Sequence, residues 1–157
     1  MSGSIVRDPG LAPSGRAKVE WARERMPVLA AVGREIAAAG SLRGRRVGLA
    51  LHVEAKTACL ALALRDAGAQ VSVAGCNPLS TQDDVAAALA EEGVSVYAWR
   101  GATAAEYEAF LGRVLEDGPE LVIDDGGDLI ALLHTKRRDL LPRVAGGTEE
   151  TTTGIHR

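Results

Sequence analysis

The sequence is poor in aromatics, with five among 157 residues, poor in cysteine, with two, and nearly balanced in charge, with 18 Lys+Arg against 21 Asp+Glu. A mildly acidic chain without a Lys/Arg block does not present the continuous basic surface that nucleic acid or anionic lipid requires, so neither is expected as a partner. No apolar run reaches the ~18 residues a bilayer span needs, and Met1 to Pro13 has neither a basic nor an apolar leader region. A cytoplasmic protein is expected. Cys59 and Cys76 are too few and too poorly spaced for a disulfide framework or a zinc motif, so two reduced thiols and no metal site are the expectation. Neither GxxxxGK[ST] nor GxGxxG occurs, which weakens phosphoryl transfer and removes a dinucleotide fingerprint from these residues.

What the chain does have is alternation. Residues 1–13 read as a flexible arm with Gly3, Pro9, Gly10 and Pro13. A helical segment follows from about Ser14 to Ala39, with Val19, Met26, Leu29, Val32 and Ile36 at helical spacing and Pro27 starting or kinking part of it. The run Val47-Gly-Leu-Ala-Leu51 has the density of a strand buried on both faces. Helix from about Glu54 to Ala67, strand Val71 to Ala74, helix from about Ser80 to Ala90, strand Val94 to Trp99, helix Thr103 to Leu115 and strand Leu121 to Ile123 complete the pattern. Thr103-Ala-Ala-Glu106 is a capping box, and Gly68 and Gly93 stand where helices should stop. The fold class expected is α/β, a Rossmann-like or flavodoxin-like doubly wound, mostly parallel sheet with helices on both faces, preceded by a helical N-terminal segment.

Ligands of open parallel sheets bind beyond the carboxyl ends of the strands. There the sequence turns polar: His52, Glu54, Lys56 and Thr57 after the first strand, Cys76, Asn77, Ser80, Thr81 and Gln82 after the second, and Asp124-Asp-Gly-Gly-Asp128 after the fourth. Adjacent carboxylates repel unless a proton, cation or ligand offsets them. The aspartate loop therefore reads as a helix cap, a Mg²⁺ site or a small-molecule acid/base site. His52 reads as a hydrogen-bonded strand-end residue or as a catalyst beside that loop. Cys76 reads as a packing residue, since no sequence pattern supplies an activating base. Lys136, Arg137, Arg138, His134 and Asp139 read as a solvated face, and Glu149-Glu-Thr-Thr-Thr-Gly154, by composition, as a frayed end.

The ordered segments Leu51-His-Val-Glu-Ala-Lys-Thr57, Asn77-Pro-Leu-Ser-Thr-Gln-Asp83, Ile123-Asp-Asp-Gly-Gly-Asp-Leu129 and Glu149-Glu-Thr-Thr-Thr-Gly-Ile-His156, with Arg23-Glu-Arg-Met-Pro27 upstream, resemble the N-terminal substrate-binding region of S-adenosylhomocysteine hydrolase. The resemblance implies reversible cleavage of S-adenosylhomocysteine to adenosine and homocysteine with tightly bound NAD. Oxidation at the ribose 3′-hydroxyl acidifies the 4′-hydrogen, homocysteine leaves by elimination, and water adds at C5′. It implies catalytic roles near C5′ for His52 and Asp125, supported by Asp124. It implies substrate contacts from Glu54, Lys56, Thr57, Asn77, Ser80, Gln82, Asp125 and Glu150, and contacts to NAD from Thr151, Thr152 and Thr153. The partner implied is a small nucleoside thioether. Family members form homo-oligomers, and for this chain a monomer stays open.

Two departures qualify what is carried over. Many members read Met-Thr-x-Glu-Thr after the histidine, whereas Val53-Glu-Ala-Lys-Thr57 is associated with a thermophilic and archaeal-like branch. Lys56 would place a donor where the adenine amino group wants an acceptor, which suits the 6-oxo group of hypoxanthine and so S-inosylhomocysteine. The sequence given also ends at Arg157, ahead of the family's cofactor domain. The expected division is an α/β domain over 14–145 and the start of a crossing over 146–157. The expected behaviour is weak nucleoside binding without turnover, as a fragment or a separately encoded substrate half. A stand-alone nucleoside-binding or regulatory module is the alternative, and a Mg²⁺ enzyme built on Asp124, Asp125 and Asp128 the third reading.

Overall fold

A computed structural model describes residues 3–156. The centre of its sheet is the pair β2 (Arg46–Leu51) and β3 (Gln70–Gly75), joined by α3 (Ala55–Asp66). The chain continues through α4 (Asp83–Glu91) to β4 (Ser95–Ala98), then through α5 (Ala104–Glu116) back across the sheet to β5 (Leu121–Asp124) on the other side of β2. Helix α6 (Asp128–Thr135) follows. With β1 (Ile5–Val6) and β6 (Gly146–Glu149), the order is β1-β4-β3-β2-β5-β6, and every pairing is parallel. The strand order reverses between β2 and β5, which makes their carboxyl ends the switch point where such sheets bind ligands.

Side-chain size explains the layering. Val47, Leu49, Val71, Val73 and Val96 point to one face, into a core with Val19 of α1 (Ala12–Arg23), Leu62 of α3 and Val85 and Leu89 of α4. The alternate positions Gly48, Ala50 and Ala74 are small, and α5 supplies the bulk there through Phe110, Leu111, Val114 and Leu115. A Cβ on Gly48 would meet Val114 Cγ1 at 2.8 Å, so that glycine sets how closely α5 lies on β2. Each fully buried aliphatic side chain contributes roughly 1.5–3 kcal/mol.

The helix boundaries follow local chemistry. The Thr103 hydroxyl accepts from Glu106 N–H while the Glu106 carboxylate accepts from Thr103 N–H, completing the expected capping box. Gly68 and Gly93 adopt φ of +97° and +85° after α3 and α4, a region other residues avoid. The leading helical segment divides where Pro27 starts α2 (Pro27–Ala39). Helix α4 begins later than expected, with Gln82 at its N-cap, because Ser80 and Thr81 belong to the preceding turn.

Two segments expected outside the sheet lie in it. The arm 1–13 carries β1, paired with β4 through Ile5↔Tyr97 and Val6↔Ala98, and already enters α1 at Ala12. The stretch from 146 carries β6, in register with β5 through Leu121↔Gly146 and Asp124↔Glu149, before a short helix α7 (Thr152–Ile155). Both are edge strands held by main-chain hydrogen bonds. A two-residue apolar pair and a Gly-Gly-Thr-Glu stretch carry no hydrophobic period for a sequence reading to detect. Among the described residues no helix is long and apolar enough to cross a membrane.

Candidate functional site

His52 leaves the end of β2 and Asp125 the end of β5, so the crossover topology brings together residues 73 positions apart. His52 Nε2 lies 3.2 Å from Asp125 Oδ2; the imidazole is about half exposed, at 47%, and the carboxylate largely covered, at 13%. On the other side of the ring, Nδ1 lies 2.5 Å from Ser80 Oγ. The Ser80 hydroxyl also reaches the Asn77 carbonyl at 2.9 Å, so it ties the ring edge at Nδ1 to the turn after β3. Nε2, on the opposite edge of the ring, lies within hydrogen-bond reach of the Asp125 carboxylate.

The neighbouring aspartates have different fates. Asp124 is fully buried, and its carboxylate accepts from Asp125 N–H at 3.0 Å and Ile130 N–H at 2.8 Å. Burial pushes its carboxyl above the usual range, with the Glu149 carboxylate adding to the effect. Asp124 thus holds the turn that aims Asp125 and does not line the cleft. Asp128 accepts from Tyr107 Oη at 2.8 Å. Among the described residues, Asp124, Asp125 and Asp128 do not form a donor cluster of the kind the Mg²⁺ reading needs. Gly126 and Gly127, at φ of +105° and +76°, let the loop turn.

Two residues are placed more tellingly than their sequence context suggested. Cys76, at the end of β3, donates from Sγ to Asp125 Oδ2 at 3.3 Å. Burial, then the Asp125 carboxylate, push its thiol far up, so it is a proton-bearing neighbour and not a nucleophile. Glu149 Oε1 accepts from Gly126 N–H at 2.7 Å and Thr151 N–H at 3.1 Å, tying the aspartate loop to the segment that carries Glu150. Only strand pairing reveals Glu149, because its Cα stands opposite Asp124.

The imidazole–carboxylate pair opens into a cleft of about 740 Å³ lined by Met26, Leu29, Leu51, His52, Glu54, Lys56, Thr57, Leu60, Ser80, Gln82, Asp125 and Glu150. That volume is within the range for small-molecule sites. Met26, Leu29, Leu51 and Leu60 supply its apolar lining, and the other lining residues bring polar groups. The Glu54 carboxylate accepts from Lys56 N–H and Thr57 N–H at 3.0 Å each, capping α3. Lys56 itself is exposed at the cleft, and its ammonium is a donor there. Asn77 is exposed and outside the cleft lining, its Oδ1 accepting from Leu79 N–H at 2.9 Å. Thr151, at the N-cap of α7, and the exposed Thr152 and Thr153 lie outside the cleft lining.

The model of the S-adenosyl-L-homocysteine hydrolase family matches residues 4–141. The chain belongs to the S-adenosyl-L-homocysteine hydrolase family. It is 54% identical over 154 residues to the S-inosyl-L-homocysteine hydrolase of Methanococcus maripaludis, covering 98% of this chain and 37% of that protein. It is 55% identical over 152 residues to the protein of the same name from Methanopyrus kandleri, covering 97% and 36%. The adenosylhomocysteinase of Pyrococcus abyssi is 49% identical over 152 residues, again covering 97% and 36%. This member of the hydrolase family thus spans a little over one third of the length of these relatives.

Proposed function

We propose that this domain is the nucleoside-thioether-binding part of an enzyme that reversibly cleaves S-inosyl- or S-adenosylhomocysteine to nucleoside and homocysteine. The observation that carries the reading is the convergence of His52 and Asp125, from separate strands, on one cleft that also gathers Lys56, Thr57, Gln82 and Glu150. Met26, Leu29 and Leu60 offer an apolar surface to a purine, and the polar wall suits ribose hydroxyls. With the sulfur-bearing 5′ carbon at the pair, the proton between Nε2 and Oδ2 is given to the departing sulfur and recovered from the incoming water. Ser80 and Asn77 fix the ring's orientation for both transfers, and Asp124 fixes the carboxylate.

NAD, when bound, supplies the hydride acceptance that makes the ribose 3′ position acidify its neighbour. Of the residues present, Thr151, Thr152 and Thr153 fit one edge of such a cofactor, because Thr152 and Thr153 hold exposed hydroxyls beyond the end of β6. Residues 1–157 carry no glycine-rich dinucleotide turn. The 157-residue polypeptide is therefore proposed to bind nucleoside without turning it over.

Lys56 sets the preference between the purines. An ammonium donates and cannot accept, so it favours a 6-oxo over a 6-amino group. Isothermal titration of the chain with both thioethers tests the whole reading. The expected result is 1:1 binding of each, S-inosylhomocysteine about tenfold tighter, with Lys56→Met erasing the difference. No binding of either at millimolar concentration overturns the functional reading, and equal or tighter binding of S-adenosylhomocysteine overturns the purine assignment. Nucleoside release by the chain with added NAD contradicts the proposal that it does not turn over.

A further inference from the structure

Zinc sites are commonly legible as local pairs such as CxxC or HxxxH, and this sequence has none. The fold nevertheless assembles three donors of the right chemistry from three strand ends: His52 after β2, Cys76 after β3 and Asp125 after β5. Their ligand atoms all lie within 4.8 Å of one another, with Nε2–Oδ2 at 3.2 Å and Sγ–Oδ2 at 3.3 Å. A four-coordinate zinc ion with ordinary bond lengths places neighbouring donor atoms roughly 3.3–3.6 Å apart. Two of the edges of that tetrahedron are close to this size before any ion arrives.

We propose that His52 Nε2, Cys76 Sγ and Asp125 Oδ2 form a binding site for a borderline-soft divalent cation, with Zn²⁺ as the type, occupied in competition with the nucleoside. One sulfur and one imidazole nitrogen among three donors select against Mg²⁺ and Ca²⁺, which take oxygen. The fourth position opens on the cleft through the half-exposed imidazole. Binding replaces the S–H bond of Cys76 by a sulfur–metal bond and releases that proton to solvent, with no change of oxidation state. The dication then balances one thiolate and one carboxylate. The competition rests on the function proposed above, since the ion ties up the same nitrogen and oxygen that handle the 5′ proton. The site itself does not.

Cobalt(II) titration of the full chain, kept reduced without a thiol additive, tests the site directly. The expected result is one equivalent bound, a near-ultraviolet thiolate-to-cobalt charge-transfer band, four-coordinate visible absorption and displacement by Zn²⁺. Cys76→Ser should abolish the band. Cys59→Ser should keep it, because Cys59 is buried in the core with Sγ on the Val19 carbonyl. His52→Asn, shown folded by circular dichroism, should weaken cobalt binding at least as much as the roughly 10–100-fold typical of losing an outer-shell partner. Absence of the band at excess cobalt, its survival in Cys76→Ser, or unchanged affinity in folded His52→Asn overturns the site, and the last reading stands even if Cys76→Ser does not fold. Titrating zinc-loaded and metal-free chain with S-inosylhomocysteine separates the two ideas. Loss of nucleoside binding only when zinc is bound supports competition, equal affinity overturns it, and no binding in either state counts against the nucleoside reading alone.

Discussion

The two ends of the adjacent strands β2 and β5 both set a basic side chain beside a carboxylate, and they do opposite things. At the amino end Arg45 Nη1 bonds Glu120 Oε1 at 2.8 Å, while Glu120 Oε2 accepts from Arg46 N–H at 3.1 Å. The Arg45 guanidinium, followed by the Arg46 amide, holds the Glu120 carboxyl below its usual range. A guanidinium never gives up its proton, so that end is a clamp. At the carboxyl end the basic partner is an imidazole, a side chain that can gain or lose a proton near neutral pH, and the carboxylate is shared with a thiol. The same two strands therefore carry a fixed joint at one end and, in the function proposed above, a proton-handling pair at the other. The choice of arginine or histidine decides which.

The comparison can be broken most strongly through the residue that supports the carboxyl end. Asp124→Ala leaves two buried amides without an acceptor and should cost about 2–4 kcal/mol of stability, measured by urea unfolding. His52→Asn should leave stability within about 0.5 kcal/mol, since the ring is half exposed, while weakening nucleoside binding at least about tenfold in calorimetric titration. A loss of stability as large as that of Asp124→Ala would make His52 structural.

The two ends should also respond to pH in opposite senses. The Asp124 carboxyl is raised in the folded state, so between its ordinary value of 3.8 and the higher folded value the native protein holds more protons than the unfolded chain, and stability contributed by this group falls as pH rises. Glu120 is lowered, so its contribution is full above 4.5 and is lost as pH falls through the folded value. Unfolding of Asp124→Asn and Glu120→Gln across this acid range should show the first losing the downward slope and the second losing the upward one. The smallest effect is expected for Arg45→Ala, an exposed partner, which should move the denaturation midpoint least of these variants.

Elements that bury a periodic face were legible in the sequence. The strands β2 to β5 and the helices α3 to α5 announce themselves through apolar runs, a capping box and glycines at helix ends, because those signals are the local causes of the structure. The edge strands β1 and β6 were not legible, because their order comes from main-chain pairing with β4 and β5. At the site, the polar strand ends pointed to His52 beside the aspartate loop, since the topology places the ends of β2 and β5 side by side, and the choice of Asp125 within that loop came from the family resemblance. The division of labour between Asp124 and Asp125 was not visible, because it depends on which carboxylate turns inward to meet the Ile130 amide. Cys76 was read as packing because the polar neighbours His52 and Asp125 are 24 and 49 positions away in sequence and meet it only in the fold.

The central claim is that the His52–Asp125 pair faces the bound nucleoside thioether and handles its proton. Nitrogen-15 NMR of the imidazoles in the chain, recorded while S-inosylhomocysteine is added, tests this most directly, with His134 as an internal reference. The prediction is that ligand shifts the His52 Nε2 resonance in proportion to saturation while His134 stays still. Saturable binding that leaves His52 Nε2 unmoved would contradict it.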